Sequence, residues 1–101
     1  MMQQKKQEEF GNIGWTNMAF HISIIKSKEN EHSAQYHFMS TSSRHSEMEH
    51  GLLEINKENG EIKLIKAADY DEHKGFFMRA SRKVFVHWKN GILPEKTEWA
   101  S

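Results

Sequence analysis

The chain is rich in histidine, with seven among its 101 residues. Two of them, His45 and His50, share one short polar segment with Glu47 and Glu49. Neutral imidazoles and carboxylates are ligands that zinc and nickel accept in proteins. The five-residue interval between His45 and His50 matches no established ligand spacing, however. We therefore expect surface histidines, no cofactor, and no bound metal whose removal by a chelator would change the melting temperature.

Catalytic motifs are absent from the sequence. The run Ser40–Ser43 has four hydroxyls but no surrounding Gly-x-Ser-x-Gly elbow, and the isolated glycines form no phosphate-binding loop. With no cysteine there is no thiol nucleophile, no disulfide and no thiolate zinc site. The acidic clusters have structural explanations as solvated turns or helix caps. The sequence therefore predicts a protein that is not an enzyme.

Composition favours one small folded domain. Fourteen Lys and Arg balance fourteen Asp and Glu, which argues against a strongly basic nucleic-acid arm. Twenty Leu, Ile, Val and Phe make a thin core, yet eleven aromatic residues and zero net charge are atypical of disorder. We expect a flexible polar leader over 1–14 and a single domain over 15–101. No apolar signal region or membrane-spanning stretch is visible, so the sequence predicts a cytoplasmic protein without a membrane partner.

Alternating apolar residues predict two hairpins. Strands are expected over 15–25 and 34–39, separated by a polar turn over 26–33. His21 and His37 would then lie near each other across the first hairpin. The second hairpin joins 52–56 to 61–65. A four-residue loop over 57–60 pairs Ile55 with Ile62 and Leu53 with Leu64, and it places Gly60 in the left-handed conformation.

The last third of the chain predicts one helix. Asp69 and Glu72 resemble a capping box at its start, and Asn90-Gly91 forms a left-handed cap at its end. An apolar stripe is expected to bury Trp88 against the first strands and to contain His73 as a core histidine. The final segment should pack back on the domain. The stripe consists of Tyr70, His73, Phe77, Ala80, Ser81, Val84 and Trp88, and the residues of the final segment expected to pack are Ile92, Leu93 and Trp99.

These elements predict an α+β fold. An antiparallel sheet of about four strands, in two hairpins, would carry one C-terminal helix on one face. The opposite face would be polar and rich in histidine. Its expected residues are Ala19, His21, Ser23, Gln35, His37, Glu54, Asn56 and Lys63.

Because the sequence has no catalytic motif, metal-ligand spacing or membrane segment, binding of another protein is the leading hypothesis for its function. Small bacterial domains of this kind include immunity proteins and antitoxins, which neutralise a toxin by masking its active site. Toxins that act on nucleic acid often have basic clefts, so acidic loops are the first candidate surface. The predicted contact residues are Glu29, Glu31, His32, Tyr36, Arg44, His45, Glu47 and Glu49.

Two alternatives remain open. Residues 70–91 carry a net charge of +3, so a basic helix face could bind an acidic protein or the phosphates of a nucleic acid. The candidate residues are Arg79, Arg82 and Lys83. A small ligand could also bind to the histidine-bearing face of the sheet.

Overall fold

The computed structural model describes residues 21–41 and 49–100 of the chain. In these residues five antiparallel strands form one sheet in the order β4-β3-β2-β1-β5. The helix α1 lies between β4 and β5 in the chain and packs on one face of the sheet. The elements are β1 (His21–Glu29), β2 (Ser33–Ser40), β3 (Gly51–Asn56), β4 (Ile62–Lys66), α1 (Gly75–Lys89) and β5 (Lys96–Ala100).

The predicted α+β class and the antiparallel sheet are confirmed, but residues 21–41 and 49–100 contain five strands rather than the predicted four. The extra strand is β5, which pairs with β1, so the helix is not the C-terminal element. Trp99 lies opposite Ile22, and Thr97 lies opposite Ile24. Cross-strand partners share a face of the sheet, so both β5 side chains face the helix. Of the three tail residues, Leu93 and Trp99 pack against the core, whereas Ile92 is 64% exposed.

The first hairpin is longer and tighter than predicted. β1 continues to Glu29, and only three residues separate it from β2. The Asn30 side chain accepts hydrogen bonds from the backbone N–H groups of His32 and Ser33, which closes the turn. The polar segment after Ile25 is therefore mostly strand. The part of the predicted strand from 15 to 20 lies outside the described residues.

The predicted register of the second hairpin is confirmed. Ile55 pairs with Ile62 and Leu53 with Leu64. Gly60 has a φ of 78°, the left-handed conformation that this loop requires. The ring of Trp88 lies directly against Gly60, and its Nε1 donates a hydrogen bond to the Lys57 carbonyl at 2.8 Å. Trp88 is thus half-buried against the β3–β4 loop instead of the first strands.

The helix begins later than the capping-box pattern predicts. Its first residue is Gly75, and Asp71, rather than Asp69, accepts hydrogen bonds from the N–H groups of Phe76 and Phe77. Ala80 and Val84 are buried, as the stripe predicts, but His73 precedes the helix and is exposed. The predicted end is confirmed, because Gly91 has a φ of 85° directly after the cap residue Asn90.

The core lies between the helix and the sheet, and every strand contributes to it. Its centre consists of apolar side chains that alternate along β1, β2 and β3 and meet Ala80 and Val84 of the helix. The fully buried large side chains are Ile22, Ile24, Tyr36, Phe38, Leu53, Ile55 and Val84.

Candidate partner-binding surfaces

The two acidic loops proposed as one binding surface lie at opposite ends of the sheet. Glu29 and Glu31 flank the turn before β2, whereas Glu49 lies between the end of β2 and the start of β3. The eight residues of β2 separate these ends by roughly 25 Å, at ~3.3 Å per residue. Arg44, His45 and Glu47 lie outside the described residues. The described acidic groups therefore cannot form a single compact patch.

Glu29 is already paired within the chain. Its carboxylate binds Lys26 Nζ and Lys57 Nζ, each at 2.6 Å. These two hydrogen-bonded ammonium groups lower the pKa of Glu29 to about 2. The contacts tie β1 to the β3–β4 loop, so Glu29 has a clear structural role at this end of the sheet.

Tyr36 belongs to the core and does not lie on the surface beside that turn. Its side chain faces the helix with no exposed area, and its hydroxyl donates a hydrogen bond to the Pro94 carbonyl at 2.5 Å. Burial, with a smaller contribution from the charges of Glu29 and Glu95, raises the pKa of the phenol. Tyr36 could contact a partner only if the core opened.

The other described loop residues differ in exposure and in the partners they contact within the chain. Glu49 is exposed and pairs with Lys66, an ion pair that lowers the pKa of Glu49 and raises that of Lys66. His32 lies 3.3 Å from a carboxylate oxygen of Glu58, and both side chains are about three-quarters exposed. Glu31 is also exposed. Among the described loop candidates, Glu31 and His32 are thus the most accessible at the turn end.

The pairing of Glu29 makes stability depend on acid pH. Its pKa is lower in the folded chain than in the unfolded one, so its stabilising contribution is complete above about pH 4.5 and is lost as the pH falls towards 2. We expect Glu29→Gln to lower the melting temperature near pH 6 and to have little effect near pH 2. Thermal melts between pH 2 and 6 check this. Glu31→Gln, at an exposed neighbouring position, is the control. If the melting temperatures of Glu29→Gln and the natural chain differ by the same amount at every pH, the expectation is wrong.

Three large apolar side chains are exposed on the outer face of α1. Met78 is 64% exposed, Val86 47% and Phe85 39%. At 100° per residue these positions lie on the side of the helix opposite Ala80 and Val84. Arg82 and Lys89 are exposed between and beside them. We call Met78, Arg82, Phe85, Val86 and Lys89 the outer helix face.

The basic residues predicted as an alternative site lie on one side of the helix but differ in exposure. Arg82 lies on the outer helix face, whereas Lys83 is half-buried at its margin. Arg79 is also half-buried, and its guanidinium donates a hydrogen bond to the Gly75 carbonyl at 3.1 Å. No acidic residue is present in α1, so the helix carries four positive charges from Arg79, Arg82, Lys83 and Lys89.

A shallow cavity of about 400 Å³ adjoins the C-terminal end of the helix. Trp88, Ile92 and Leu93 form its apolar wall, and Glu29 and Lys57 form its polar side. Phe85 packs on Trp88 with ring centroids 5.6 Å apart. An exposed apolar surface therefore extends past the last turn of α1. The sequence pattern marked Trp88 as core and Ile92 as packed, so it missed this extension.

The open face of the sheet brings His37 close to His50. Their ring centroids are 6.4 Å apart and the rings are nearly perpendicular. His21 is not their neighbour, because His37 pairs with Ile25, four residues farther along β1. Instead His21 contacts Glu98 and Thr41. The predicted proximity of His21 and His37 across the first hairpin is wrong.

Within residues 21–41 and 49–100, no cluster of three or more His, Cys, Asp or Glu side chains converges as a metal site. No helix in this part of the chain is long and apolar enough to cross a membrane. Comparison with known proteins found no matching family model, curated protein or solved structure. The functional interpretation therefore depends on the surfaces described above.

Proposed function

We propose that this chain is a protein-binding domain and that the outer helix face is its principal contact surface. The observation that carries the proposal is the exposure of Met78, Phe85 and Val86 on one side of a helix that already buries its opposite side. Burying a second face against another protein would remove this apolar area from water.

The residue types on this face are those that protein interfaces favour. Aromatic residues, Met and Arg are enriched at interfaces, and a few such anchors supply most of the binding energy. Phe85, supported by Trp88, and Arg82 are the expected anchors. Spacings of three, four and seven residues along one helix face are typical of a helix that docks in a groove.

The charge of the outer helix face indicates the chemistry of the partner. Arg82 and Lys89 have no acidic neighbour within the helix. Two copies of this face would therefore bring like charges together, which disfavours self-association. The best complement is a different protein with an apolar groove bordered by carboxylates.

More specifically, we propose that the chain is an immunity protein or antitoxin that neutralises a toxin by covering its active site. The small domain size and the lack of a catalytic motif are compatible with this role, in which binding alone performs the function. A rigid helix on a sheet presents preformed anchors, which reduces the ordering cost of association.

Co-expression with the product of the adjacent gene tests the proposal, because inhibitors are often encoded beside their targets. We expect a 1:1 complex, and protection of the host if that product is toxic. The double variant Phe85→Ser/Val86→Ser should weaken the complex at least a hundredfold, as expected for loss of an interface centre. The matched control is Lys63→Ser/Ile65→Ser, which alters exposed positions on the edge strand β4.

Opposite results would identify a different surface or function. If Glu31→Lys with Glu49→Lys abolishes the complex and the helix variant does not, the acidic loops are the interface and the helix assignment is wrong. If the adjacent product neither binds nor is toxic, the immunity role for this pair is contradicted.

A nucleic-acid-associated role is the second candidate, supported by the four positive charges of α1. Phosphate contacts would give binding that weakens steeply as salt rises. The apolar residues between the cations favour a protein partner, because phosphate groups form no favourable contact with apolar side chains. Titration with DNA and with RNA at 50 and 200 mM salt distinguishes the nucleic-acid role from the protein-binding role. Strong binding that weakens with salt and is lost in Arg82→Glu would support the nucleic-acid role.

A further inference from the structure

We propose that His37 and His50 form a binding site for a late first-row divalent cation, such as Ni²⁺ or Zn²⁺, on the open face of the sheet. Glu49 lines the same cavity but is paired with Lys66, so the two imidazoles are the proposed ligands. This site is separate from the outer helix face, so it is independent of the proposed partner. It also departs from the sequence expectation of no metal, which did not bring His37 and His50 together.

The backbone brings the two imidazoles together across adjacent strands. His37 lies opposite Leu52 in the β2–β3 ladder, and His50 comes two residues before Leu52. Metal–nitrogen bonds of ~2.0–2.1 Å place two ligating imidazole centroids roughly 5 Å apart around a tetrahedral ion. The observed 6.4 Å is about an ångström wider, which small side-chain rotations can close.

A second observation is the unsatisfied nitrogen of His37. Its Nδ1 is buried and has no hydrogen-bond partner among the described residues. Buried polar atoms without a partner are rare, and an ion or water is a common reason for one. A cavity of about 330 Å³ is lined by His37, Glu49, His50, Leu52 and Lys66. There is room for a hydrated ion.

Lys66 pairs with the one carboxylate among the described residues that line this cavity. Its ammonium forms an ion pair with the Glu49 carboxylate, which is therefore already engaged. A bound cation would compete with Lys66 for Glu49 and would be repelled by the ammonium. Removing the Lys66 charge should therefore strengthen metal binding at this site. Metal binding to histidines elsewhere on the surface would not respond to this change.

The test is titration of the untagged full chain, freed of metal beforehand, with NiCl₂ and with ZnCl₂, followed by calorimetry and thermal melts. We expect one equivalent to bind and to raise the melting temperature, because the ion binds the folded state. MgCl₂ should have no effect, since Mg²⁺ prefers oxygen ligands. His37→Ala and His50→Ala should each weaken binding at least tenfold, and Lys66→Met should strengthen it.

His21→Ala/His32→Ala is the matched control, because both histidines are exposed and each contacts a carboxylate elsewhere. Full binding by this control, with loss in the His50 variant, supports the proposal. His50 is exposed, so its variant remains informative if His37→Ala does not fold. Unchanged affinity in His50→Ala, or weaker affinity in Lys66→Met, would overturn the site.

Discussion

Gly51→Ala is expected to destabilise the domain by about 2–3 kcal/mol, close to the upper end for an overpacked core. A Cβ at Gly51 would lie under 3.0 Å from three ring atoms of Phe38. Phe38 is fully buried and packs on Phe77 with ring centroids 6.0 Å apart, so its ring has little room to move. Chemical denaturation at neutral pH measures the change.

Gly91→Ala is the control for this substitution. Gly91 has open space around it, but its φ of 85° is unfavourable for alanine, so we expect a cost of only about 1 kcal/mol. The variant Gly51→Ala/Phe38→Leu should be more stable than the sum of the two single changes predicts, because the smaller side chain relieves the overlap. If Gly51→Ala costs less than Gly91→Ala, the packing of Phe38 over Gly51 is incorrect.

Asp71→Ala is expected to cost about 2–4 kcal/mol, since it removes charge-assisted hydrogen bonds at the start of the helix. Asp71 is 4% exposed, and its two carboxylate oxygens accept from the N–H groups of Phe76 and Phe77, both at 2.9 Å. Without them, two backbone donors lose their partners beside the core. Denaturant melts should show the loss of stability, and Asp71→Asn should recover part of it by keeping one acceptor.

Asp69→Ala distinguishes the observed cap from the one the sequence pattern predicts. Asp69 is exposed, and its carboxylate accepts a hydrogen bond of 3.3 Å from the Glu49 N–H. We therefore expect a loss below about 1 kcal/mol. A larger loss for Asp69→Ala than for Asp71→Ala would restore the capping-box interpretation.

The two helix ends illustrate how far local sequence signals reach. Asn90-Gly91 ends the helix as predicted because a left-handed glycine cap depends only on the residues beside it. At the other end, Asp69 and Asp71 both offer suitable cap side chains within three positions. Burial decides between them, since the N–H groups of Phe76 and Phe77 lie beside the core, where only Asp71 reaches them.

The candidate surfaces were less predictable than the fold. The exposed cations of the helix are visible in the sequence, and so is the placement of Val86 away from the core stripe. That Tyr36 is buried, and that Glu29 is held by Lys26 and Lys57, depends on contacts between segments far apart in the chain. The same is true of the proximity of His37 and His50. Sequence spacing does not report such distances.

By itself, the sequence determined the elements whose signals are local: the alternation in β2, the β3–β4 register with its left-handed Gly60, and the apolar stripe of α1 around Ala80 and Val84. The tertiary structure alone decided that 96–100 completes the sheet beside β1. A five-residue edge strand has too weak a pattern to predict its partner. Its position is determined by the backbone hydrogen bonds that β1 offers and by the partial burial of Thr97 and Trp99 on the side of the helix.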